Sequence, residues 1–473
     1  MKLKIIMKNL LVLIIIAVSN IIFAQNYSRG LVLDQKSYQK IPVKANILLK
    51  GDLPSTYSLK KFTPNVKSQG QYGTCVGWST GWSLRTTLEA INKNWTDKNK
   101  ITENGFSPIF TYYNSKDIHD DDCKNGTNIT SALNVMKEKG IPYYKDFSPM
   151  CTESIPQYIY DLAKRHKIKD YTRLLSANMD AKTKISNIKN AIYNNHPIVI
   201  GIACPNSFDI AKGVWVPTES ISDIEGAHAI TLIGYDDNKY GGAFEIMNSW
   251  GTNWGNEGYM WIKYKDFLNY CFQAVEVYLD NKEYYKTIAG SIKFKTDKSI
   301  NLNVNKVKGI NAKGLVVVDN VDIADYAITE PLYSMSRYRM LITVKKPVYL
   351  YAIASDLDNN TSIIFPHTDK ISPYINYDDT EIPIPNNKYW IQLDDNVGVD
   401  YLIVLFSLKE LDIKSIKNDI KIFSGNINEK IENALGDIII DESNCNFNSE
   451  RIKFLAKSKD DKVVAIVIKM DHK

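Results

Sequence analysis

The chain has 473 residues, which at roughly 150 per domain makes two or three domains and excludes a single small module. Its 44% hydrophobic and 23% charged residues, with only 24 Gly and 16 Pro, exclude collagen-like and wholly disordered chains. The formal charge is +5, and setting aside Lys2, Lys4 and Lys8 in an N-terminal segment expected to be removed leaves +2, too little for a nucleic-acid binder acting through a broad basic field.

Residues 1–24 join a Lys-bearing start to an apolar run from Leu10 to Ala24, broken only by Ser19 and Asn20, with Ala24 before the polar Gln25-Asn26. That is the pattern of a signal peptide. An apolar run of about 15 residues falls short of the ~20 that a spanning helix needs, so no stable membrane insertion is expected. The mature protein is therefore expected outside the cytoplasm: secreted, periplasmic or at the cell surface. Residues 25–52 form a short N-terminal segment. From 53 to 280 the text is first helical and then strand-rich. Segment 75–91 carries Trp78, Trp82, Gly77 and Gly81 at helical spacing behind Thr74 as N-cap, and further helices are predicted at 130–139, closed by Gly140, and at 156–166. Strands follow at 197–204, 227–235, 243–249, 258–263 and 272–279. The expected class is α+β, a helical lobe and an antiparallel barrel-like lobe. A Lys-rich linker at 281–300 then leads to a separate all-β, sandwich-like domain at 301–473, with strands at 348–354, 389–393 and 401–407.

Six cysteines, at 75, 123, 151, 204, 271 and 445, allow three bridges in an exported chain, and the count does not choose among pairings. With no Cys-x-x-Cys, no HExxH and no Walker-type loop, no metal and no cofactor is expected.

Thiol catalysis needs a cysteine made nucleophilic near neutral pH, which a helix N-terminus and a neighbouring base both favour. Cys75 opens a helix after Gly73-Thr74, and Gln69 lies six positions earlier with an amide able to donate to a developing oxyanion. The best base is His228, with Ala227 and Ala229 leaving room beside it; Asn248 is placed to fix its tautomer and Trp250 to shield that bond from water. Sulfur and imidazole are expected to meet as an ion pair. A lone exported Cys is more often a half-cystine or a core residue, and Gln69, His228 and Asn248 together reverse that balance. GWSTG at 77–81 matches a serine-hydrolase elbow, but SQGQYGTC before it is loop-like and no buried strand leads into Ser79. Cys204 and Cys271 lie in or beside apolar strands and are expected to act as small hydrophobes. His119, His166, His196, His367 and His472 have no companion motif.

PNVKSQGQYGTCVGWS (64–79), GAHAITLIGYDD and NSWGTNWGNEGYMWI resemble the three signatures of papain-like cysteine peptidases, in family order across about half the chain. The resemblance implies Gln69 as oxyanion donor, Cys75 as nucleophile, His228 as base and then acid, and Asn248 as orienting residue. It also implies substrate contacts from Gly73, Asn125, Gly126, Thr127, Ala227 and Trp250, with one glycine where the family's wall has two, and a Cys123–Cys151 bridge. Tyr72 replaces the family's half-cystine and Val76 its usual aromatic. Residues 25–52 are too short for the usual helical prodomain, so activity is expected to be restrained differently, by the C-terminal domain or not at all. In the C-terminal region PVYLYAIASD, SIIFPH, EIPIP and WIQLDDNVGVDYLIVLFS resemble a β-rich domain of unknown function appended to bacterial enzymes. It is assigned a binding or structural role toward an unknown ligand or partner, and exposed Tyr374 and Tyr377 are weighed as ligand aromatics against a solvated turn. The function expected is an exported endopeptidase acting on polypeptides through a thioester. The alternatives are a catalytically silent papain-fold binder working through its β domain, and acyl transfer to amines.

Overall fold

The computed structural model describes residues 27–45, 52–224, 226–279, 287–307, 324–356, 360–376, 380–441, 444–448, 451–458 and 460–473. The expected signal peptide at 1–24, part of the expected linker and Tyr377 lie outside them. Cys75 begins a helix that continues from Cys75–Gly77 through a π-helical stretch, Trp78–Arg85, into Thr86–Asn92. Thr74 occupies the N-cap position, but its side chain makes no cap bond. Gly77 lets this helix approach the next one: a Cβ there would lie 2.3 Å from the Pro108 carbonyl oxygen. Ser79 sits inside the helix, its hydroxyl donating to Val76 O at 3.1 Å, so no strand-to-helix elbow exists at GWSTG. The helices at Ile129–Glu138 and Gln157–Ala163 follow the sequence expectation. Ala181–Tyr193 and Pro108–Ser115 are helices that it passed over.

The helical lobe packs on an eight-stranded sheet made of β1 (Thr56–Ser58), β2 (Ile168–Arg173), β3 (Ile198–Ala203), β4 (Val214–Trp215), β5 (Ala227–Asp236), β6 (Ala243–Met247), β7 (Tyr259–Lys263) and β8 (Cys271–Leu279). The order is β2-β8-β3-β5-β6-β7-β4, with β1 on β5, and every pairing is antiparallel except that of β4 with β7. β3 and β6 are buried along their whole length, which is why they read as unbroken apolar runs. Trp78, Trp82, Ile200, Ile230, Phe244 and Trp254 share the main core of this domain, between helix and sheet.

The C-terminal region departs from expectation twice. Thr287–Thr296, placed in a linker, is a strand at the heart of a seven-stranded sheet, where its Ile288, Ile292 and Phe294 alternate inward beneath a Lys-rich outer face. The region is also not all-β. A second seven-stranded sheet shares one face with the first through residues such as Leu350, Ala352, Val404 and Phe406. Its other face, with Tyr349, Tyr351, Ile403 and Leu405, is covered by helices Ile413–Ile422 and Ile427–Leu435. Ile413, Ile416 and Ile420 in one helix and Ile427, Ile431 and Leu435 in the other form single apolar stripes, and Asp412 and Asn426 cap their starts. The predicted strand at 389–393 shrinks to Ile391–Gln392, and Tyr374 is buried rather than exposed. Among the described residues no helix is long and apolar enough to cross a membrane.

Candidate active site

The first turn of the Cys75 helix packs against β5, the strand that carries His228. Backbone amides of Ala229 and Gly30 lean on the fully buried thiol, yet burial dominates and pushes its pKa up to about 11. Asn248 follows β6 and holds His228 Nε2 at 2.7 Å through Oδ1, which also accepts the Ser249 amide at 2.8 Å. Since that oxygen only accepts, Nε2 carries the proton and Nδ1 keeps its lone pair. Nδ1 is buried without a hydrogen-bond partner. The Trp250 ring lies over the imidazole with centroids 4.5 Å apart, the shielding position expected of it. Burial pushes His228 down to about 3, against the help of Asn248. Burial thus works against the charged form of both groups, and so against the expected ion pair, because both are cut off from water.

Gln69 is fixed at both ends of its amide. Its Oε1 accepts the Ser249 hydroxyl at 2.7 Å, and its Nε2 donates to Tyr72 O at 2.8 Å and to Ser28 O at 3.1 Å. Ser249 is a positioning residue the motif reading passed over, although it stands in the quoted NSWG.

Residues 27–33, expected only as part of a short N-terminal segment, run through the cleft and explain the burial. Tyr27 stacks on Trp250 at 4.5 Å, and Trp250 Nε1 donates to Ser28 O at 3.3 Å. Farther along, Leu31 N donates to Ala227 O at 3.3 Å, Thr127 N to Gly30 O at 3.0 Å and Val32 N to Thr127 O at 3.0 Å, so Leu31 pairs with Thr127 in parallel. Gly30 passes so close that a Cβ on it would lie 1.8 Å from Gly73 O, and a Cβ on Gly126 would lie 2.2 Å from Gly30 O. Gly73, Gly126, Thr127, Ala227 and Trp250 are thus gathered along one groove. Asn125 is not: it is exposed, and its amide donates to Asp120 at 3.0 Å. Cys123 is bridged to Cys151, while Cys204 and Cys271 are free and buried.

The family model described as papain family cysteine protease matches residues 54–280. An uncharacterized peptidase C1-like protein of Acanthamoeba polyphaga mimivirus is 25% identical over 248 residues, 49% of this chain and 76% of that protein. Cysteine proteinase 3 of Entamoeba histolytica is 23% identical over 46% of this chain and 65% of its own length, and cathepsin K of Mus musculus is 26% identical over 43% and 57%. The chain thus spans less than two thirds of the last two. Xylellain, a cysteine protease from Xylella fastidiosa, aligns at 21% identity with a TM-score of 0.43, over 55% of this chain and 97% of that one. Residues 54–280 belong to the papain family of cysteine proteases, and the protein is a papain-like cysteine peptidase.

Proposed function

We propose that the protein is an exported endopeptidase in which Cys75 attacks the peptide carbonyl, His228 takes the thiol proton and returns it to the departing amine, Asn248 holds the imidazole, and Gln69 with the Cys75 amide receives the oxyanion. Water then hydrolyses the thioester. The observation that carries this reading is the 2.7 Å bond from His228 Nε2 to Asn248, which leaves Nδ1 as the free base on the strand packed against Cys75. Export rests on the composition of residues 1–24.

The strap at 27–33 is the restraint. The imidazole must protonate the departing amine, so the amine side of a substrate lies toward His228 and Trp250. The strap sends its acyl side, Tyr27, toward Trp250 and its amine side, Leu31 and Val32, along Thr127. It lies reversed, and so it blocks the groove without being cut. This strap also removes a motive for the silent-binder alternative, which drew on the lack of a pro-segment.

Purified protein should cleave an unfolded polypeptide, and Cys75→Ala should abolish cleavage while the circular dichroism spectrum stays unchanged. Cleavage persisting in that variant would refute the assignment.

A further inference from the structure

Arg29 is the most heavily engaged side chain of the strap, and it points into a recess that the proposed chemistry does not use. Its Nε donates to Cys204 O at 2.9 Å, Nη2 to Asp209 Oδ1 at 2.7 Å and to Pro205 O at 3.4 Å, and Nη1 to Tyr27 O at 3.1 Å. The guanidinium carbon lies 5.8 Å from the Trp250 ring centroid. On the side of its aliphatic stem, Gly226 leaves the space open: a Cβ there would lie 2.6 Å from Arg29 Cδ. Apart from Tyr27 O, every one of these partners belongs to the peptidase domain and stays behind when the strap leaves. Two backbone carbonyls, a carboxylate and an aromatic face form a lining suited to a planar, multiply donating cation, which an ammonium fills less completely.

The recess has a definite place in the reaction. Ser28 O sits on Gln69 Nε2, the proposed oxyanion donor, so Arg29 is one residue from the reaction centre. Asp209 follows Phe208, whose ring lies 5.6 Å from Trp250 and 6.4 Å from His228, the side on which the departing amine must emerge. We infer that Asp209 is a specificity-determining residue that selects polypeptides with an arginine as the first residue on the amine side of the scissile bond, and that Arg29 of the strap occupies this subsite in the resting protein. Burial holds the Asp209 carboxyl above the usual carboxylate range even with Arg29 beside it, so a bound cation is what favours its charge. Leu31 marks the opposite side of the sulfur, filling an apolar space where a Cβ on Gly201 would lie 2.8 Å from its Cδ2.

The inference rests on the peptidase reading, and the experiment separates the two. Three internally quenched peptides would differ only in that residue, which is arginine, its neutral isostere citrulline, or glutamate, with leucine on the acyl side. With the full-length protein, the ratio of kcat/KM between two peptides is independent of how often the strap is open, because that fraction multiplies both. The arginine peptide should be preferred over citrulline by about tenfold or more, and glutamate should be worst. In Asp209→Asn the ratio should fall to about one, even where loss of the Arg29 contact raises both absolute rates. Equal cleavage of arginine and citrulline peptides by the unmodified protein, or a preference unchanged in Asp209→Asn, would overturn the subsite and leave the peptidase reading standing. If no peptide is cut, anisotropy with the same peptides, dye-labelled, and the full-length Cys75→Ala variant decides. Tighter binding of the arginine peptide, lost on adding Asp209→Asn, keeps the subsite while the peptidase reading falls, and equal binding ends both.

Discussion

His228 depends on a single oxygen for its tautomer. Asn248 Oδ1 accepts from both His228 Nε2 and the Ser249 amide, so the side chain is anchored to its own backbone while it orients the imidazole. Replacing it by alanine removes a buried hydrogen bond that holds the base, a loss of the order of 1.5–3 kcal/mol in the transition state. Asn248→Ala should therefore lower kcat/KM for a peptide substrate by about tenfold to a hundredfold. Steady-state kinetics with one peptide would check this, and an unchanged kcat/KM would remove Asn248 from the mechanism. Cys75, His228, Asn248 and Gln69 could be proposed from the sequence, because thiol chemistry demands particular side chains within short recognisable segments. Ser249, Arg29 and Asp209 were not, because their roles exist only through partners far away in the chain.

At the scale of elements, the proposed restraint rests on how firmly the strap is held in the groove. Leu31 is buried with Cys75, Ala229, Val199 and Val275, and burying a leucine is worth roughly 1.5–3 kcal/mol. Leu31→Ala should weaken the closed form by about 2 kcal/mol, and the rate at which an epoxide labels Cys75 should rise by roughly thirtyfold. Gly30→Ala should open it further, since the new Cβ would collide with backbone at Gly73. Mass-spectrometric labelling kinetics would test both, and rates equal to those of the unmodified protein would show that the strap does not guard the sulfur. Residues 27–33 carry no period and no motif, so composition could only call them short. Their function comes from the groove they lie in. The helices Ile413–Ile422 and Ile427–Leu435 are a different case: their apolar stripes were present in the sequence, but the strand-rich surroundings drew the reading toward sheet.

At the scale of the molecule, the strap is tied down where the two domains meet. Beyond the helix Gln35–Lys40, Val43 pairs with Arg173 of β2 on one side and Ile371 of the C-terminal region on the other, with its amide donating to Lys370 O and its carbonyl accepting from Ser372 N. Next to it Lys44 Nζ lies 2.6 Å from Glu276 Oε2 on β8, and Glu276 Oε1 lies 2.5 Å from His196 Nδ1, so His196, set aside from the sequence, helps anchor the strap. Desolvation raises the Glu276 carboxyl, but Lys44 and His196 outweigh it and hold the pKa down to about 2. A carboxyl depressed in the folded state stabilises it above the unfolded value of about 4.5, and that stabilisation is lost as pH falls toward about 2. Lys44→Met leaves a buried carboxylate with one partner fewer, which should cost of the order of 3 kcal/mol and move the acid loss to higher pH. Hydrogen exchange at the Leu31 and Val32 amides, followed against pH, would show earlier loss of protection in the variant. Identical profiles would remove this pair from the anchoring of the strap.

The amino-acid sequence alone determined the family, and it offered four side chains for the proposed chemistry, since a thiol, an imidazole and two amides in recognisable segments can be read before the chain folds. It also determined most strands of the peptidase domain, through local apolar patterning. Only the tertiary structure decided that the N-terminal segment fills the groove, that Asp209 meets Arg29 and that Lys44 meets Glu276. Those contacts join residues as much as 232 positions apart in the chain, and nothing local in their sequence separates them from ordinary surface residues until the fold removes them from water.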